Sequence, residues 1–81
     1  MRKTIRIQIK NQKNKSVFTD YSTDFEITTG TTVSEMKTII KNSINNSFNI
    51  VKESLWNNSK ELEDSNLLPK TNNLDYYMEI N

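Results

Sequence analysis

The chain contains neither histidine nor cysteine. That removes the usual general base and commonest metal ligand, and it rules out disulfides and thiolate metal sites. Serine and threonine are abundant, but no G-x-S-x-G elbow is present and no histidine exists to activate a hydroxyl. A lysine serves as a base only when desolvated, and no lysine stands within an apolar run. The carboxylates Glu61, Glu63 and Asp64 cluster, yet they lack the alternating oxygen ligands and central glycine of a calcium loop, and they read as a solvated turn. A single glycine and a single proline exclude a glycine-rich phosphate cradle. The residue types therefore predict a protein that is not an enzyme and that holds no metal or cofactor. What remains able to act is a surface, built of aromatic and charged side chains.

The basic charge is unevenly placed. Arg2, Lys3, Arg6, Lys10, Lys13 and Lys15 precede any acid, while the rest of the chain has five basic and ten acidic residues. A basic edge of this kind could serve a nucleic acid or an acidic partner. No aromatic residue lies in the stretch to stack on bases, and acids elsewhere are available to neutralise it. Charges nearly cancel overall, with a formal net charge of +1, so overall charge implies no partner.

One helix is expected to position everything else. Thr32 and Glu35 form a T-x-x-E capping box, in which each residue satisfies an amide the helix start leaves unpaired. Val33, Met36, Ile40 and Ile44 recur at helical spacing, with Ile39 widening the stripe and Lys37 and Lys41 opposite. Asn45-Asn46-Ser47 is expected to end it. A single apolar stripe needs a sheet to cover it.

The flanks supply strands. From Thr4 to Lys10, Ile5, Ile7 and Ile9 point one way and Thr4, Arg6, Gln8 and Lys10 the other. The polar run Asn11 to Lys15 reads as a hairpin loop. From Ser16 to Thr28, Val17, Tyr21, Phe25 and Ile27 share one parity, predicting a long second strand with a bulge near Tyr21 to Asp24. Gly30 can take the positive φ that turns the chain into the helix. Beyond the helix, Phe48 and Ile50 are expected to lid its end. Lys52 to Trp56 reads as a short strand, Asn57 to Lys60 as a tight turn and Glu61-Leu62 as a brief returning strand. Leu67-Leu68-Pro69 is expected to be a buried turn or one turn of 3₁₀ helix. Leu74, Tyr76, Met78 and Ile80 alternate with Asp75, Tyr77 and Glu79 in a last strand. The expected order is ββαβββ, an α+β fold in one domain over residues 1–81 with no internal repeat.

That order, with a helix across one face of a mixed sheet, resembles the β-grasp, and particular residues are similar to ubiquitin. The capped start Thr32-Val33-Ser34-Glu35-Met36 is followed by a short strand, a tight turn and a K-x-L-E-D segment, matched by Lys60, Leu62, Glu63 and Asp64. In size, and in starting directly with a strand, the chain also looks like the free-standing YukD-like accessory proteins of bacterial type VII secretion. No glycine follows Gly30, so the Gly-Gly tail of conjugated relatives is missing and conjugation is not expected.

The resemblance implies a non-enzymatic interaction module whose partners are proteins, with no small-molecule substrate. It also implies a docking face on the side of the sheet away from the helix. If Leu55 points into the core, Trp56 points outward, at the position of the isoleucine central to ubiquitin's partner-binding patch. A parity slip of one would bury it instead. Tyr77 should lie beside Trp56, with Arg6 and Lys60 as flanking charges, and with Arg6 and Lys10 near Asp75 and Glu79. The alternatives are a nucleic-acid or acidic-partner binder using the amino-terminal strand and loop, and the simpler ββαββ arrangement of immunoglobulin-binding domains. No run is apolar enough to span a membrane, and Arg6, Gln8 and Lys10 interrupt what would be a signal peptide. A cytoplasmic location follows as the expectation, with only peripheral association to a secretion complex.

Overall fold

The structure, a computed structural model, describes residues 1–44 and 47–81. The described residues form an α+β fold of six elements: β1 (Arg2–Asn11), β2 (Val17–Glu26), α1 (Val33–Ile44), β3 (Ile50–Asn57), β4 (Lys60–Glu61) and β5 (Asn73–Ile80). The strands form one five-stranded mixed sheet in the spatial order β2-β1-β5-β3-β4. Its central pair, β1 and β5, is parallel, and the remaining pairs are antiparallel.

The helix begins as its sequence dictates. The Thr32 amide donates to Glu35 Oε1 at 3.0 Å and the Glu35 amide donates to Thr32 Oγ1 at 3.2 Å, closing the capping box. The bond from the Thr32 amide, with a second from the Thr32 hydroxyl to the same oxygen, holds the Glu35 carboxyl below its ordinary range. The Val33 and Ser34 amides donate to the carbonyls of Asn66 and Asp64. The segment before β5 thus satisfies further donors that a helix start leaves open. Val33, Met36 and Ile40 are buried against Ile5, Ile7, Ile9, Leu55, Leu74, Tyr76, Met78 and Ile80 from the sheet. Each such side chain contributes about 1.5–3 kcal/mol of burial energy. Ile39 falls outside the stripe and remains exposed. The expected helix stop at Asn45-Asn46 lies outside the described residues.

Several boundaries and one register differ from expectation. β1 starts at Arg2, and Lys3 keeps the inward parity of Ile5. Strand β2 runs in unbroken register from Glu26 opposite Arg2 to Thr19 opposite Ile9, so no bulge lies between Tyr21 and Asp24. The register shifts instead beside the hairpin, where Lys10 pairs with Val17. That connection is closed by Asn11: its amide donates to the Ser16 carbonyl, its carbonyl accepts from Lys15, and Lys15 has φ 61°. The shift carries Val17 onto the face of Lys10, opposite to the one its parity with Tyr21 implied.

Strand β3 is longer than expected and shifts register between Ile50 and Lys52. Ile50 is exposed, while Phe48 packs on the core. Asn58 takes φ 58° in the β3–β4 turn and Gly30 takes φ 94° before the helix. The returning strand covers Lys60–Glu61, and Leu62 turns in to pack on the core. The buried turn expected at Leu67-Leu68-Pro69 is absent. Leu67 is 64% exposed and forms an isolated antiparallel bridge with Thr32, which draws the segment to the helix start, and Leu68 alone packs on the core.

Candidate docking face

The sheet face away from the helix is assembled by strand alternation. Leu55 is buried, so Trp56, the next residue of β3, emerges on the outer face. Strand β5 places Tyr77 outward between buried Tyr76 and Met78, and pairs it with Ser54. The two rings meet edge to face, with centroids 6.4 Å apart and planes at 81°. An edge-to-face pair sets the positive edge of one ring against the negative face of the other and contributes about 0.5–1.5 kcal/mol beyond burial. The indole Nε1 donates to Ser54 Oγ at 2.9 Å. Ser54, two residues earlier on the same face, thereby fixes the indole rotamer. Trp56 is half-buried and Tyr77 is 38% exposed.

The register shift by the hairpin extends this apolar surface. Val17 is 61% exposed and lines an open groove with Tyr77, Lys10 and Glu79. The same-face pairing of Asp75 with Trp56 and of Glu61 with Trp56 places a carboxylate on each neighbouring strand.

Arg6 lies on this face, opposite Asp75 in the parallel register. Its ion pair, however, is made with Asp20 of β2 and not with Asp75: Nε donates to Oδ1 at 3.1 Å and Nη2 to Oδ2 at 2.8 Å. The planar guanidinium fork matches both carboxylate oxygens at once, which a single cross-strand contact does not. These bonds raise the Arg6 pKa, and with a third from Gln8 they hold the Asp20 carboxyl below its ordinary range. Lys10 and Glu79 are opposite in register, but neither makes an ion pair among the described residues. Lys60 pairs with Asn57, one step out of phase with Trp56. The structure therefore brings Trp56, Tyr77 and Arg6 onto one face and leaves Lys60 at the turn beyond its edge.

Sequence reasoning missed three contributors. Ser54 and Val17 were overlooked on the face itself, although Ser54 shares the i−2 parity of Trp56. The third, Lys3, is 1% exposed, and its ammonium donates to the carbonyls of Pro69, at 2.6 Å, and Thr71. Burial pulls its pKa below the usual lysine value. Lys3 ties β1 to the segment before β5, and its parity with Ile5 was the available signal.

The other basic residues of the amino-terminal stretch are partly engaged. Arg2 lies 3.5 Å from Glu26. Among the described residues no group of three or more acidic side chains is arranged to hold a metal ion, and no helix is long and apolar enough to cross a membrane. No protein-family model, no curated protein and no solved structure matches the chain.

Proposed function

We propose that the chain is a β-grasp domain of the ubiquitin-like class that acts as a non-enzymatic protein-interaction module, docking through its outer sheet face. The fold reading is supported by the strand order β2-β1-β5-β3-β4, with its parallel central pair and a single helix across the other face. The observation that carries the functional reading is the Trp56–Tyr77 pair standing on an uncovered sheet face. Two aromatic side chains held in place by Ser54 and by each other offer a large contact area with little rotamer entropy left to lose, the character of interface hot spots. The resemblance to YukD-like proteins extends the reading to a cytoplasmic accessory or regulator of a bacterial type VII secretion system. The nucleic-acid alternative is disfavoured because Arg6 is held by Asp20 and Lys3 is buried.

Trp56→Ala is expected to lose the module's protein partner in an affinity capture from its native host, with circular dichroism unchanged. A hot-spot aromatic of this kind is worth about 2 kcal/mol, or roughly thirtyfold in affinity. A folded variant that retains every partner would place docking elsewhere. Normal export of secreted substrates after deletion of the gene would remove the secretion assignment alone.

A further inference from the structure

Resting on the docking-face reading above, we propose that the partner presents an arginine to Trp56, held between Asp75 and Glu61, so that the module recognises a basic segment of a protein. Asp75 of β5 and Glu61 of β4 are each in direct register with Trp56, one on either side. Two strand spacings separate them, roughly 10 Å between their Cα atoms. Neither carboxylate makes an ion pair among the described residues. Arg6, the cation nearest Asp75 in register, has its guanidinium held in a two-point contact with Asp20 on the far side.

The indole N–H is already bonded to Ser54. What Trp56 offers a partner is therefore its π face rather than a donor. A half-buried indole flanked by two carboxylates that make no ion pair among the described residues attracts a cation to its open side, by the ring quadrupole and by charge together. Arginine fits better than lysine because its plane can lie on the ring while its N–H groups reach carboxylates on both sides. At the other end of the face Lys10 and Lys52 surround the single acid Glu79, and Val17 is exposed. A docking segment would therefore carry its arginine at the Trp56 end and an apolar residue over the Val17–Tyr77 groove.

The test uses the whole protein and a series of short, acetylated and amidated extended peptides, Thr-Val-X-Val-Thr, in which X is arginine, lysine, citrulline or glutamate. Binding is read from the indole N–H resonance and from backbone shifts. The arginine peptide is expected to bind about tenfold tighter than its neutral isostere citrulline, with lysine between them. The largest shifts should fall on residues 54–56, 61 and 75–77. Asp75→Asn combined with Glu61→Gln should erase the arginine preference while thermal stability is retained. Equal binding of arginine and citrulline, a preference for glutamate, shifts centred elsewhere, or no shift with any peptide would each overturn the inference. Failure of the charge proposal is separable from failure of the docking face. If the captured partner is lost with Trp56→Ala and kept by the double charge variant, the face stands and the arginine assignment falls.

Discussion

Replacing Leu55 by alanine is expected to lower the unfolding free energy by about 3 kcal/mol, whereas replacing its neighbour Trp56 costs about 1 kcal/mol. Leu55 is fully buried within the core shared by the sheet and the helix. Its removal forfeits transfer energy and leaves a cavity that packed neighbours fill only in part. Trp56 is larger, but it sits on the outer face, and its loss removes one edge-to-face contact and one hydrogen bond to a serine. A chain of 81 residues is stable by roughly 4–12 kcal/mol. The leucine variant should thus lose a large part of its stability and melt roughly 10–20 °C lower, and the tryptophan variant only about 5 °C lower. Thermal melts of the two variants check this. Equal losses would mean that the alternation along β3 does not separate core from docking face.

The second large effect is expected at Glu53. Its Oε1 accepts a hydrogen bond from the Tyr76 hydroxyl at 3.1 Å, and its Oε2 lies 2.9 Å from the Lys41 ammonium. One carboxylate thereby joins β3, β5 and the helix. Tyr76 is fully buried, so Glu53→Ala leaves its hydroxyl without its acceptor and also breaks the pair with Lys41, at a cost of about 2 kcal/mol. Tyr76→Phe removes donor and need together and should cost about 1 kcal/mol. The order of the two losses in denaturant titrations is the test. A phenylalanine variant that is the weaker of the two would show that the hydroxyl matters through something other than Glu53.

The same pair gives a dependence on pH. Burial first, and then the facing Glu53 carboxylate, push the Tyr76 hydroxyl far above the ordinary tyrosine value of 10.0. Below that value the folded and unfolded chains both carry the proton, and the stabilisation is fully present. Above it the unfolded tyrosine ionises while the folded one does not, so stability falls as the pH rises. Tyr76→Phe should remove this part of the alkaline loss.

The helix and two of the strands were legible in the sequence because their signals are local. Thr32 and Glu35 are three residues apart and cap each other whatever the rest of the chain does. The alternation of Ile5, Ile7 and Ile9, and of Leu74, Tyr76, Met78 and Ile80, leaves one way to face a core. The outward placement of Trp56 followed once Leu55 was assigned inward.

What was not legible depends on register between distant strands. The polar hairpin from Asn11 to Ser16 is compatible with more than one register, and the one adopted turns Val17 to the outer face. The partner of Arg6 was expected on β5, but Asp20 of β2 offers both carboxylate oxygens to the guanidinium. Composition misleads at Lys3, because a lysine reads as solvated wherever its parity points. Only the carbonyls of Pro69 and Thr71, 66 and 68 residues away, explain its burial.

The central parallel pairing of β1 with β5 also sets a time scale. Thr4 lies opposite Asn73 and Asn11 opposite Ile80, so the seam in the middle of the sheet joins the most distant parts of the chain. The β1–β2 hairpin and the capped helix can form from neighbours, but this seam must close a very long loop before any of its contacts repay the lost chain entropy. Refolding should accordingly be limited by that closure, on the order of milliseconds to seconds rather than microseconds. In stopped-flow experiments, substitutions at Ile7 or Tyr76 are then expected to act mainly on the folding rate, and an effect confined to the unfolding rate would show that the seam closes after the barrier.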